Sequence, residues 1–192
     1  MKLADIAEVR SGLVLARKKA SLDYDIKENY RLISLKNIDD DGALNEEAFE
    51  SFASNDRLNE EYFTQEGDIL IRLSAPYTAI SIDKRTAGLL VPSYFSIIKL
   101  KSKDYLSEYI SWYLNSDKVK RELIRSQTGT AMATTNTKIL SSINIKALPM
   151  DEQIKIAKIR ELYLRERELL NKLIKEKERF YKGITKELIN RK

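Results

Sequence analysis

Leu148-Pro149-Met150-Asp151-Glu152-Gln153 opens a run that reaches Lys192 without another proline. Pro149 keeps Leu148 extended and has no amide hydrogen to donate, so a helix cannot run back through it. Asp151 and Glu152 put negative charge into the first turn, where the helix dipole favours it. Ile154, Ala157, Ile159, Leu162, Leu169, Leu173, Phe180, Ile184 and Leu188 then recur at spacings of mostly three or four. This is one apolar stripe on a long helix, weakened in the middle by Glu166, Glu176 and Lys177. At the helical rise per residue it would be roughly 60 Å long. The body of a chain this size is about half as wide, so much of the helix is expected to project. A projecting apolar stripe calls for a partner helix. The alternative is a helix folded back as part of the core.

Outward from that stretch, composition narrows the function. The 192 residues suffice for one domain and an extension, and they include no cysteine and no histidine. Disulfides, thiolate catalysis, Cys/His zinc sites and Ser-His-Asp triads are therefore excluded within this chain. The lack of cysteine fits a reducing, cytoplasmic setting. Charge enters at Lys2 and Asp5, unlike a signal peptide, and no apolar run approaches the length of a membrane span. The chain carries 34 Lys and Arg against 29 Asp and Glu, of which residues 151–192 hold 13 and 8, leaving 21 of each in residues 1–150. The whole excess sits on the long helix, so a nucleic-acid contact by the body would depend on a local patch.

Residues 1–12 read as a short apolar turn and a strand ending at Gly12. Arg17-Lys18-Lys19 falls in a loop. Tyr30 to Ile38 alternates as a strand, and Asp39-Asp40-Asp41-Gly42 is a turn. Residues 43–66 show no clean period. Gly67-Asp68 is a turn entering a buried strand, Ile69 to Leu73. Further strands are expected at Thr78–Ile82 and Ser93–Leu100. Leu106, Tyr109, Ile110, Tyr113 and Leu114 keep helical spacing, and Asp117 is placed to cap a second helix running to Arg125. Gln127 to Thr137 is small and polar, a loop. Ile139-Leu140 suggests a short turn and Ile143–Leu148 a final strand. The fold class is α+β: a strand-rich domain over residues 1–148, followed by a long C-terminal coiled-coil helix over 149–192.

Chemical motifs are few. Asn37, Asp39, Asp41 and Gly42 match the opening of a calcium loop, but Ala48 stands where its bidentate glutamate belongs, so a β-turn is expected. Asp25-Ile26-Lys27 and Asp83-Lys84 do not assemble the several carboxylates of a metal-dependent nuclease. No glycine-rich phosphate loop or G-x-G turn is present, so no cofactor and no metal are expected. The amides and hydroxyls of Gln127 to Asn136 suit phosphates and base edges, with Lys118, Lys120, Arg121 and Arg125 just before them; an ordinary solvated loop reads equally well.

Taken in order, Leu3-Ala4-Asp5-Ile6-Ala7-Glu8-Val9-Arg10-Ser11-Gly12, Gly67-Asp68-Ile69-Leu70, Gln127-Thr128-Gly129-Thr130 and Leu148-Pro149-Met150-Asp151-Glu152-Gln153 span nearly the whole chain. In these the chain resembles the specificity subunit of type I restriction-modification enzymes. The resemblance implies a target recognition domain followed by a conserved spacer helix, reading double-stranded DNA. Methylation and cleavage would belong to a methyltransferase subunit and, through it, a restriction subunit, so no enzyme activity is expected here. Such subunits usually carry two such units whose helices pair antiparallel; here there is one, so a half-subunit pairing as a homodimer is expected, with a fragment of a longer two-domain subunit as the alternative. The pairing residues would be Ile159, Leu162, Leu169, Leu173, Phe180, Ile184 and Leu188. Candidate DNA contacts are Arg17, Lys18, Lys19, Arg72, Tyr77, Lys84, Arg85, Gln127, Thr128, Thr130 and Thr134. Arg72 and Arg85 suit base edges, because a guanidinium can bond guanine through two donors at once; Lys18, Lys19 and Lys84 suit phosphates. The competing readings are a stand-alone nuclease acting on nucleic acid and a coiled-coil scaffold without a DNA role.

Overall fold

A computed structural model describes residues 1–45, 49–126 and 134–190, and the chain divides into two compact units, Met1–Ile154 and Lys155–Lys192. The order of elements is α1 (Leu3–Ile6), β1 (Ala7–Ser11), β2 (Glu28–Leu32), β3 (Glu50–Ser54), β4 (Ile69–Arg72), β5 (Ala79–Ser81), β6 (Phe95–Leu100), α2 (Ser107–Leu114), α3 (Asp117–Arg125), α4 (Thr137–Ser142) and α5 (Met150–Asn190). The fold is α+β, as expected, with strands first and, apart from the short α1, helices after.

Four strands form an antiparallel sheet in the order β1-β6-β4-β5, and β2 pairs with β3 separately. Ile69, Leu70 and Ile71 on β4 and Phe95, Ile97 and Ile98 on β6 are fully buried, so both faces of these central strands are covered. Leu70, Ile80, Phe95 and Ile97 share one cluster with Ile33, Ile38, Leu89 and Val91. Helix α2 packs against β4 and β5 and contributes Tyr109, Ile110 and Leu114 to the core. Gly12 follows β1 where only glycine fits, because a side chain there would meet the carbonyl oxygens of Val91 and Pro92 at 2.3 Å. Gly67 supplies φ +85° in the turn before β4.

Two side-chain amides join helices to the rest of the first unit. Asn115, just after α2, accepts from the Ala79 N–H at 2.9 Å and donates to the Ala79 and Ser111 carbonyls at 2.7 and 2.9 Å. It thereby occupies the outward groups of Ala79 on edge strand β5, which would otherwise be an open pairing site. Gln153 is fully buried; it accepts from the Leu106 N–H at 3.0 Å and donates to the Asp104 and Leu148 carbonyls at 2.8 and 2.9 Å. Tyr109 adds a third tie, its hydroxyl donating to the Lys146 carbonyl at 2.6 Å.

Several expectations need correction. The strand expected over Tyr30–Ile38 stops at Leu32, because the Asn37 amide accepts from the Ser34 N–H at 2.7 Å and turns the chain into a short 3-10 helix, Leu35–Asn37. The unpatterned stretch 43–66 contains β3, with Phe52 its one fully inward apolar side chain. Ile143–Leu148 is extended but bridges only at Lys2↔Asn144. Ser116, rather than Asp117, caps α3, its side chain accepting from the Val119 N–H. Asp39–Gly42 is a turn in which the Asp39 carboxylate accepts from the Asp41 and Ala43 amides.

Gln153→Ala is expected to lower unfolding stability by about 1–3 kcal/mol, because it leaves a buried N–H and two carbonyls without their partner. Urea unfolding followed by circular dichroism measures this; an unchanged midpoint would show that water replaces the amide.

Candidate nucleic-acid interface

Antiparallel pairing puts the β4–β5 connection at one end of the sheet and the 83–88 loop at the other. At the first end, Ser74 accepts from the Tyr77 N–H at 2.9 Å across a cis Ala75–Pro76 bond, and Tyr77 has φ 56°. Thr134 bridges Ser74, and the Thr135 N–H donates to the Leu73 carbonyl at 2.7 Å. Thr134 and Thr135 are thus laid along the β4–β5 connection. Thr134 itself is exposed.

Arg72 stands at the same end, with only 12% of its side chain exposed. Its guanidinium donates to the Leu35 carbonyl at 3.2 Å and lies 3.4 Å from Asp40, while the Thr78 hydroxyl donates to the Asp40 carbonyl. These bonds hold the Ile38–Gly42 turn against the β4–β5 connection. Tyr77 is 1% exposed, so its ring belongs to the core instead of an open surface. Both side chains therefore shape this end from within in the present conformation.

At the opposite end Lys84 and Arg85 are exposed. The Arg85 guanidinium pairs with Asp83 at 2.9 Å. Burial raises the Asp83 carboxyl, but hydrogen bonds from Thr86 and Arg85 outweigh it and hold the carboxyl below its usual range. Beneath this loop Asp68 is buried and accepts from the Gln65 N–H at 2.8 Å. Burial pushes its carboxyl above the usual range, against the lowering effect of that bond and of Lys99 and Arg10.

Arg17, Lys18 and Lys19 form a third location beside β3. Lys19 bridges Ser54, the Lys18 carbonyl accepts from the Asn55 N–H, and the Lys18 ammonium pairs with Asp56 at 2.5 Å. Gln127, Thr128 and Thr130 lie outside the described residues. The described sequence candidates thus occupy three places and not one cluster. Among the described residues, no group of three or more acidic side chains is placed to hold a metal ion, and no helix is long and apolar enough to cross a membrane.

The sequence matches the family described as Type I restriction modification DNA specificity domain over residues 1–179. The chain belongs to this family. Solved type I specificity subunits share its fold. The HsdS subunit from Thermoanaerobacter tengcongensis is 15% identical, with TM-score 0.61 over 96% of this chain and 46% of that one. The S subunit of a type I restriction-modification system from M. genitalium is also 15% identical, with TM-score 0.53 over 92% and 40%. A chain described for complex assembly and conformational transition of the type I R-M system is 13% identical, with TM-score 0.59 over 96% and 42%. This specificity-domain chain therefore spans under half the length of those relatives. No curated protein matches it by sequence.

Within the specificity domain, sequence reasoning missed what Asn115 and Gln153 do. A lone amide carries no periodic signal, although Gln153 sits in the Leu148–Gln153 motif. In the second unit, Ile159, Leu162, Leu169, Leu173, Phe180, Ile184 and Leu188 are all exposed, between 42% and 70%. Ile159, Leu162, Leu169 and Leu173, with Tyr163 and Leu170, line one shallow groove along the helix.

The raised Asp68 carboxyl has a measurable consequence. The folded state holds this proton more tightly than the unfolded chain, so stability falls as pH rises from about 3.8 through the raised value. Asp68→Asn keeps an acceptor for Gln65 and is expected to flatten that fall. Urea midpoints across this pH window check it; parallel profiles for both proteins would contradict it.

Proposed function

We propose that this chain is the DNA-reading half of a type I specificity subunit. It reads one half-site, docks a methyltransferase subunit and, through it, a restriction subunit, and performs no catalysis itself. The match to the specificity-domain family across the body and most of the helix carries this reading. The absence of histidine and cysteine from the sequence supports a non-catalytic role.

The exposed apolar stripe on residues 159–188 pairs with the same stripe of a second copy. Burying seven large apolar side chains in such a seam removes them from water, each contributing on the order of 1 kcal/mol or more. Two copies then present two reading domains, the arrangement that a bipartite site requires. A full-length specificity subunit is the other partner able to cover the stripe.

Exposed Arg17, Lys19, Lys84, Arg85 and Thr134 and the half-buried Lys18 contact DNA, together with Gln127, Thr128 and Thr130. Arg85 reads a base: its pairing with Asp83 is solvent-exposed and weak, so a guanine edge can replace the carboxylate. Lys18, Lys19 and Lys84 anchor phosphates. Arg72 and Tyr77 support the β4–β5 end, and a direct base contact by Arg72 requires it to release Leu35 and Asp40.

In complex with the methyltransferase subunit, Arg85→Ala is expected to lower affinity for the cognate duplex by about 1–3 kcal/mol and to relax specificity at one position. Lys84→Ala weakens all sequences alike and reduces the salt slope by about one. Unchanged affinity and unchanged methylated sequence in both variants would place the reading surface elsewhere.

A further inference from the structure

Helix α3 is the most sharply two-sided element of the first unit. Val119 and Leu123 are buried, whereas Lys118, Arg121, Glu122 and Ile124 face outward. Its nine residues carry four basic and two acidic side chains. Asp117 takes the first turn, where the helix dipole favours a carboxylate, and the Arg121 side chain also donates to its backbone carbonyl at 3.1 Å. Lys118, Lys120 and Arg121 make no ion pair with any described residue. This differs from Lys18, Arg72 and Arg85, each beside its own carboxylate. Ile124 is 58% exposed, and with Asp117, Lys120 and Arg121 it lines a shallow recess.

The helix is also held in a defined place. Its cap, Ser116, directly follows Asn115, whose amide is bonded to Ala79. The helix therefore begins at the end of the sheet where Thr134 meets Ser74.

We infer that α3 is a phosphate-anchoring ridge of the specificity domain, laid along the DNA backbone with Lys118, Lys120 and Arg121 on phosphates and Ile124 against a deoxyribose. This rests on the DNA-reading function proposed above and adds residues to it. Three unpaired cations within a single helical turn match the density of duplex charge, about one phosphate per 1.7 Å of axis. A rigid helix loses little entropy in presenting them, unlike lysines on a loop. Such contacts set register and orientation without reading sequence.

The experiment measures binding of the full chain to a mixed-sequence DNA duplex as a function of salt. It compares wild type, a Lys118→Gln/Lys120→Gln/Arg121→Gln variant, and a charge-matched control, Lys101→Gln/Lys103→Gln/Lys146→Gln, at exposed lysines elsewhere. Circular dichroism confirms that all three fold alike. The ridge predicts that the logarithmic salt slope shrinks by about 0.9 for each lost phosphate contact in the α3 variant only. Equal loss in the control variant overturns the inference, because only net charge then matters. An unchanged slope in the α3 variant, with salt-dependent binding by wild type, overturns the ridge and leaves the DNA-reading function standing. Wild type without any salt-dependent binding overturns both.

Discussion

The buried amide of Gln153 is the constraint on which the first unit closes. Its three hydrogen bonds serve the Leu106 N–H that opens α2, the Asp104 carbonyl before it, and the Leu148 carbonyl before Pro149. Pro149 cannot donate, yet its own carbonyl accepts from both Glu152 and Gln153, so the first helical turn forms against a fixed extended segment. From α2 the linkage continues through Asn115 to the edge of β5 and thence to β4 and β6. Two neutral amides thus connect the helix start to the sheet end that carries Thr134. Neither bears a charge, so burial costs them little once every donor and acceptor is matched.

Electrostatics in the body follow from near-neutrality. With 21 charges of each sign in residues 1–150, the body has no net charge, and Arg10, Lys18, Lys36, Arg72, Arg85 and Lys99 each have a carboxylate within reach. Exposed pairs such as Arg85–Asp83 contribute little stability. Asp68 behaves differently because it is buried, and its backbone hydrogen bond orders the turn into β4. A neutral body exerts no bulk field on a polyanion, so the DNA contact proposed above would depend on local clusters presented on folded elements.

The α+β class, the central strands and the long helix were legible because each is carried by a repeated pattern. Ile69–Ile71 is an apolar run entered from a turn, Phe95, Ile97 and Ile98 follow the breaker Pro92, and α5 repeats its stripe over many turns. β3 was not legible, since its ladder to β2 is built from backbone bonds beneath mostly polar side chains. The early end of β2 depends on one amide, Asn37, bonding locally. Placement of the candidate DNA residues was the least legible. Arg72 and Tyr77 have the right chemistry, but tertiary packing turns them inward, and no local signal distinguishes them from the outward Lys84 and Arg85.

The central claim is that one reading domain and one helix, paired with a second copy, make a bipartite reader. Mapping methylated sites in cells that express the methyltransferase subunit with and without this chain tests it most directly. Two identical reading domains predict a motif that appears only with the chain, has two half-sites separated by a fixed gap, and is two-fold symmetric. A pattern unchanged by the chain, or a motif that is continuous or asymmetric, would contradict it.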